Sequence, residues 1–123
     1  MIETVIRSRR VVLPDGISAA SVQIADGRVA RIGEWDDVDA RAELTDAGDA
    51  VVMPGIVDAH VHVNEPGRTE WEGYETATRA AAAGGVTCVL DMPLNSIPPT
   101  TTLAGFEEKL AAAKGKCSVD VAF

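Results

Sequence analysis

The chain has 123 residues, of which 46% are hydrophobic and 24% charged, a composition that suits a globular protein with a packed core. Its net charge of −8 at pH 7 argues against nucleic acid or an anionic membrane as a partner, because both bind basic surfaces. No apolar run approaches the roughly 18 residues of a membrane span, and we expect no signal peptide. Cys88 and Cys117 lie outside any CxxC pair, which favours reduced thiols and a cytoplasmic location.

Short β-strands are predicted for the first 53 residues. Residues 5–12 alternate loosely and end at a Pro-Asp-Gly turn signal, and residues 21–24 alternate polar with apolar side chains. Asp26-Gly27 then leads into Arg28–Gly33, and this dipeptide between alternating runs predicts a hairpin. Residues 37–49 are polar and predict a connection, before a last strand at 50–53. We therefore expect residues 1–53 to form a small sheet with one solvated face.

Strands and helices alternate after residue 53. Residues 56–62 and 86–92 are apolar runs of the kind found in parallel sheets that are covered on both faces. Residues 70–83 predict a helix that Gly84-Gly85 ends, with Trp71, Tyr74 and Ala77 on one face. Residues 103–114 predict a second helix. Residues 118–123 predict the opening of a third strand.

The second predicted helix has an N-terminal signal and an apolar face. Thr102 is suited to cap the helix, because a threonine oxygen can accept a hydrogen bond from a free backbone N–H of the first turn. Leu103, Phe106 and Leu110 follow helical spacing and lie on one face of the predicted helix.

The β-α-β-α-β order predicts an α/β fold with right-handed parallel crossovers. A (β/α)8 TIM barrel takes roughly 250 residues, so residues 54–123 correspond to about two βα units and the start of the third strand. An opening strand at the end of the chain leaves a sheet edge unpaired. We therefore expect an incomplete barrel, in the N-terminal piece of a longer protein.

His60 and His62 are the two histidines of the chain, and they end the first strand of the predicted barrel. Side chains two apart in a strand share a face, so both imidazoles project to the same side, together with Asp58. Spacing alone leaves a metal site and ordinary half-buried histidines both open. The strand-end position favours the metal, because barrel enzymes keep their chemistry there. Asp58 could orient a ligand histidine or could bind backbone donors.

The second predicted barrel strand also ends in polar residues. Asn95 would emerge at the same end of the barrel as His62, and its amide could bind an amide or ureide substrate. A turn residue beside proline is an equally good interpretation of Asn95.

The run Pro-Gly-Ile-Val-Asp-Ala-His-Val-His at 54–62 resembles the first-strand signature of the amidohydrolase superfamily. Residues 64–76, 80–87 and 91–96 extend the resemblance, and together they are closely similar to the allantoinase family. The resemblance implies a TIM barrel with a small β-sandwich domain built from both chain ends, so that residues 1–53 would belong to the sandwich and 54–123 to the barrel. It also implies hydrolysis of the cyclic amide of allantoin to allantoate, in ureide catabolism.

Family resemblance assigns roles to individual residues. His60 and His62 match the two metal ligands of the first strand, and Asn95 lies near a substrate-binding asparagine, although Leu94 separates it from Met-Pro. The resemblance implies two divalent metal ions, with zinc expected, and a homo-oligomer, a tetramer by family. A bridging carboxylated lysine, two further histidines and an aspartate base have no counterpart here, and no catalytic residue is expected before Phe123. The three lysines of the chain match none of these positions: Lys109, Lys114 and Lys116.

Position 64 separates the related cyclic amidohydrolases. Dihydroorotases resemble this segment but carry arginine where Asn64 stands, to pair with a substrate carboxylate. Allantoin lacks a carboxylate, and an unpaired buried arginine would be costly, so Asn64 favours a neutral ureide substrate. The alternatives are a dihydroorotase, a hydantoinase or dihydropyrimidinase, and a non-catalytic scaffold relative. For residues 1–123 alone we expect negligible activity.

Overall fold

The computed structural model describes all residues from 1 to 123. It divides into two compact units, Met1–Pro54 and Gly55–Phe123. None of its helices has the length and hydrophobicity needed to span a membrane.

The first unit is a five-stranded sheet. Its order is β3-β2-β1-β4, with β5 also paired to β1; the β1–β2 and β2–β3 pairs are antiparallel, whereas β4 and β5 run parallel to β1. The predicted hairpin is confirmed, because Asp26 and Gly27 both have positive φ, at 51° and 68°. The strand bounds are β1 Thr4–Leu13, β2 Gly16–Ala25, β3 Arg28–Gly33, β4 Glu43–Asp46 and β5 Val51–Val52.

Strand β4 lies inside the segment that the sequence predicts as a polar connection, so that prediction is wrong for residues 43–46. All four residues are exposed, and the strand is held by backbone pairing with β1, from Thr4↔Glu43 to Arg7↔Asp46. Arg7 also pairs with Asp46 at 2.7 Å. A strand without a buried side chain shows no apolar alternation, which is why its sequence resembles a loop.

The second unit is a three-stranded parallel sheet with two crossover helices. Strand order is β6-β7-β8, and the elements are β6 Ile56–Val61, α1 Tyr74–Ala83, β7 Val86–Asp91, α2 Leu103–Ala113 and β8 Asp120–Ala122. The predicted β-α-β-α-β order is therefore confirmed. Because the strands are parallel, their carboxyl ends lie at one edge of the sheet. The polar residues that end or follow β6 and β7, among them His62 and Asp91, lie at this edge.

Helix α1 begins at Tyr74 rather than at residue 70. Residues 64–73 form a loop closed by backbone bonds, from Asn64 N–H to Glu72 O at 3.0 Å and from Trp71 N–H to Arg68 O at 3.0 Å. Trp71, which the spacing predicts within the helix, lies in this loop and is 66% exposed. The sequence shows helical periodicity here, but Glu72 O, which an earlier helical turn would pair with an N–H four residues further on, accepts from Asn64 N–H instead.

Helix α2 begins as predicted, with Thr102 Oγ1 accepting from Gly105 N–H at 3.1 Å. The apolar face that the spacing predicts is not its buried face, because Leu103 is 73% and Leu110 43% exposed. The side that packs against the unit consists of Gly105, Lys109 and Ala113. Two small residues one turn on either side of Lys109 let the helix approach closely and enclose the lysine.

Candidate metal centre

The histidine pair lies where the ladder between β6 and β7 ends. The last paired residues are Val61 and Asp91, and one further bond continues the pairing, from Met92 N–H to Val61 O at 2.8 Å. His62 therefore stands beside Met92, just past the strand ends. This position at the carboxyl edge of a parallel sheet is where barrel enzymes assemble their sites.

The two imidazole rings converge on one point. His60 Nε2 and His62 Nε2 lie 3.2 Å apart, with both side chains exposed and the rings at 69° to one another. Two nitrogen ligands at the usual zinc distance of 2.0–2.1 Å in a tetrahedral site are separated by about 3.3 Å. The observed separation thus fits two ligands of a single metal ion.

The carbonyl of Met92 selects the tautomer of one ring. His62 Nδ1 lies 3.0 Å from Met92 O, and because a carbonyl only accepts, this nitrogen carries the proton. The lone pair of His62 Nε2 is then directed away from the strand, toward His60. A histidine ligand in metalloproteins is commonly oriented in this way by a hydrogen bond on its other nitrogen.

Asp58 contacts the backbone and not an imidazole. Its Oδ1 accepts from His60 N–H at 3.1 Å, which is the second of the two roles that the sequence leaves open. The His, Cys, Asp and Glu side chains of this chain form no cluster of three or more that could hold a metal ion. The chain thus supplies two converging nitrogen donors.

Asn64 and Asn95 lie in the loops that follow β6 and β7. Asn64 is half-buried and Asn95 is exposed. The two loops are joined by a bond from Ile97 N–H to Pro66 O at 2.8 Å. They also touch at Gly67, where φ is +88° and an added Cβ would stand 2.6 Å from Ile97, so this position requires glycine.

A buried polar cluster that the sequence did not reveal binds the backbone of Val63, the residue after His62. Lys109 Nζ lies 2.8 Å from Asp91 Oδ2, and Tyr74 OH donates to the same oxygen at 3.0 Å. All three side chains are almost fully buried. Burial, together with the charge of Asp91, raises the pKa of the Tyr74 hydroxyl far above its ordinary value. A sequence signal did exist, because Asp91 ends an apolar strand and a buried carboxylate needs partners.

Glu65 is a second buried carboxylate that sequence analysis did not place, at 6% exposure. Its Oε2 accepts from Tyr74 N–H at 3.0 Å, and its Oε1 pairs with Lys116. The carboxylate therefore satisfies a free backbone donor at the start of α1, where negative charge is favourable.

Comparison with protein families gives a match to the amidohydrolase family over residues 51–122, more than half of the chain. Among curated proteins the chain is 58% identical over 121 residues to the mitochondrial allantoinase of Aquarana catesbeiana, covering 98% of this chain and 25% of that protein. It is 53% identical over 123 residues to the allantoinase of Streptomyces avermitilis, covering 99% and 28%. The chain thus spans about a quarter of the length of these relatives. The predicted resemblance to allantoinases is confirmed.

Solved structures give the same fold. The L-hydantoinase (dihydropyrimidinase) of Arthrobacter aurescens superposes with a TM-score of 0.85 at 38% identity, covering 99% of this chain and 27% of that one. The dihydropyrimidinase of Brevibacillus agri gives 0.81 at 30% identity, covering 98% and 26%. The predicted fold class, the first part of an amidohydrolase TIM barrel, is confirmed.

Proposed function

The chain belongs to the amidohydrolase family, and from this we propose that it is the N-terminal part of an allantoinase, which hydrolyses the cyclic amide of allantoin to allantoate. The observation that carries the proposal is similarity of 45–58% identity to allantoinases over nearly the whole chain. The hydantoinase structures with the same fold are less similar, at 27–38%.

His60 and His62 are the proposed metal ligands. Amidohydrolases are generally metal-dependent, and the converging Nε2 atoms at 3.2 Å support this role. A bound divalent ion, zinc in our proposal, would lower the pKa of a water molecule and polarise the substrate carbonyl. The family resemblance further implies a second metal ion. It also implies a carboxylated lysine that bridges the two ions and an aspartate that acts as the base, both of them outside this chain.

The other proposed site residues act around this pair. Met92 O holds the proton on His62 Nδ1, which keeps Nε2 available as a ligand. Asp58 fixes the backbone at His60 and so restricts the position of that ring. Asn64 and Asn95, in the two joined loops, would bind the polar ring atoms of a ureide, because an amide side chain both donates and accepts.

We propose a homo-oligomer, a tetramer by family resemblance, that acts on a small cyclic ureide in the cytoplasm. The net charge of −8 supports a partner other than nucleic acid.

A hydantoinase or dihydropyrimidinase is the second candidate. It is favoured by the TM-score of 0.85 to the Arthrobacter aurescens enzyme. A dihydroorotase is disfavoured by Asn64, since a neutral amide lacks the charge that would pair with a carboxylate. A scaffold relative without activity is disfavoured by the presence of both His60 and His62.

A chimaera tests these candidates. Residues 1–123 replace the matching segment of the Streptomyces avermitilis allantoinase, to which they are 53% identical. The purified, zinc-loaded chimaera is assayed with allantoin, hydantoin, dihydrouracil and dihydroorotate. We expect kcat/KM to be highest for allantoin.

Matched variants connect the activity to the histidines. His60→Asn and His62→Asn should each abolish turnover and reduce the bound zinc, whereas Glu107→Gln, an exposed change on α2, should leave both unchanged. Preference for hydantoin or dihydrouracil would favour the second candidate. A folded, metal-loaded chimaera that is inactive on all four substrates would contradict the enzymatic proposal.

A further inference from the structure

A buried ion pair lies next to the strand ends that carry the proposed metal ligands. Lys109, in the middle of α2, is 0% exposed and Asp91, the last residue of β7, is 1% exposed. Taking both charges out of water is unfavourable, and a buried pair is tolerated only when its remaining donors and acceptors are also satisfied. The contacts of these two side chains therefore show what the pair holds in place.

The Lys109 ammonium group has three donors, and the structure places an acceptor near each. Its Nζ is 2.7 Å from Val63 O, 2.7 Å from Glu65 O and 2.8 Å from Asp91 Oδ2. Two of these acceptors are backbone carbonyls in the segment directly after His62. Helix α2 is thereby attached to the chain that carries the proposed ligands.

Asp91 acts on the same segment from the neighbouring strand. Its Oδ1 accepts from Val63 N–H at 3.0 Å, and its Oδ2 accepts from Tyr74 OH and from Lys109. Both polar backbone groups of Val63 are thus bound by the ion pair. This fixes the chain just beyond Val61↔Asp91, where the ladder of β6 and β7 has ended.

The same contacts determine the surroundings of His62. Val63 follows His62, and Met92, whose carbonyl binds His62 Nδ1, follows Asp91. The peptide N–H directly after His62 therefore binds the Asp91 carboxylate, and the residue that supplies the acceptor for His62 follows Asp91 in the chain.

We propose that Lys109 and Asp91 are positioning residues for the two-histidine site, holding the ends of β6 and β7 so that His62 Nε2 stays directed at His60 Nε2. This inference rests on the proposed metal role of the histidines. A contribution to stability does not by itself explain why an ion pair is buried here, because apolar side chains of similar volume often replace a buried ion pair without loss of stability.

The test measures metal binding in the chimaera defined above. Wild type, Lys109→Met and Asp91→Asn are stripped of metal, and the affinity for Co²⁺ and the visible absorption spectrum of the bound ion are recorded well below the unfolding temperature. Loss of a group that orients a ligand typically lowers metal affinity roughly 10- to 100-fold. We expect a loss of this size with an altered Co²⁺ spectrum, and wild-type behaviour from the control Lys114→Met, an exposed position at the end of the same helix.

The double variant Lys109→Met/Asp91→Asn separates positioning from folding. It leaves no unpaired charge, and the introduced amide oxygen can still accept from Val63 N–H, so its thermal midpoint should recover relative to the single variants. Its Co²⁺ affinity should stay low, because Val63 O and Glu65 O still lack their donor. Parallel recovery of stability and affinity would show that the pair is merely structural and would overturn the proposal.

Tyr74→Phe and the allantoin activity of the wild-type chimaera provide two further tests. Tyr74→Phe retains the ion pair and removes one bond to Asp91, so it reports on the cluster if the charged variants do not fold, and we expect a several-fold loss of affinity. Wild-type affinity in this variant or in a folded Lys109→Met protein would contradict the proposal. A wild-type chimaera that binds Co²⁺ without hydrolysing allantoin would refute the proposed function and leave this inference to its own test.

Discussion

Removing the hydroxyl of Tyr74 should destabilise the protein at neutral pH and have less effect in alkali. Tyr74 is 0% exposed, and its OH donates to Asp91 Oδ2 at 3.0 Å. A hydrogen bond to a charged group contributes about 1.5–3 kcal/mol. Because Asp91 keeps Val63 N–H and Lys109 as partners, Tyr74→Phe should cost an amount in this range rather than the larger cost of an unpaired buried charge.

The pH dependence follows from the direction of the pKa shift. Burial and the charge of Asp91 raise the pKa of Tyr74, so the folded protein keeps the proton at pH values where the unfolded chain loses it. The stability that the Tyr74 hydroxyl contributes is fully present below the pKa of about 10 that tyrosine has in the unfolded chain. It is lost as the pH rises above that pKa. By pH 11 the wild type should lose about 1.4 kcal/mol relative to Tyr74→Phe.

Tyrosinate absorbance provides a direct assay, because Tyr74 is the single tyrosine of the chain. In an alkaline titration of the 123-residue protein, the absorbance should rise only together with loss of circular dichroism. The urea-unfolded chain should titrate near pH 10, and this is the control. A folded protein that titrates near pH 10, or a stability difference from Tyr74→Phe that does not change between neutral pH and about pH 11, would refute the assignment of a buried hydroxyl.

Two further predictions concern the helix cap and the isolated chain. Thr102→Ala removes the acceptor of Gly105 N–H and should lower the free energy of unfolding by about 1 kcal/mol in urea titrations, whereas Thr101→Ala, an exposed neighbour, should have little effect. Equal effects of the two changes would contradict the capping role. Residues 1–123 alone should form no detectable allantoate from allantoin when loaded with zinc, since they supply only two proposed ligands. Allantoate formation at the rate of the chimaera would show that the site needs no further residues.

Local sequence determines several elements of this protein without help from the tertiary structure. Asp26-Gly27 prescribes a hairpin because both residues tolerate positive φ, and Thr102 prescribes the start of α2 because its hydroxyl can satisfy a neighbouring N–H. For the histidines, the period of two in a strand predicts that His60 and His62 share a face, although His62 lies just past the end of β6 at Val61.

Other features depend on contacts between distant residues. Strand β4 exists because its backbone pairs with β1, and helix α1 starts late because the preceding loop uses its own backbone bonds. Neither kind of bond leaves a pattern in nearby side chains, so propensity and periodicity do not reveal it.

The candidate site divides in the same way. The sequence by itself determined the two histidines, their shared face and the family to which the chain belongs. The tertiary structure decided that the Nε2 atoms converge, that Met92 O holds one ring, and that Lys109 is buried against Asp91. A lysine on a helix is normally solvated, and only the packing of α2 over the ends of β6 and β7 brings its ammonium group to the carbonyls of Val63 and Glu65. Such partners are chosen by three-dimensional burial, which acts across dozens of residues of chain.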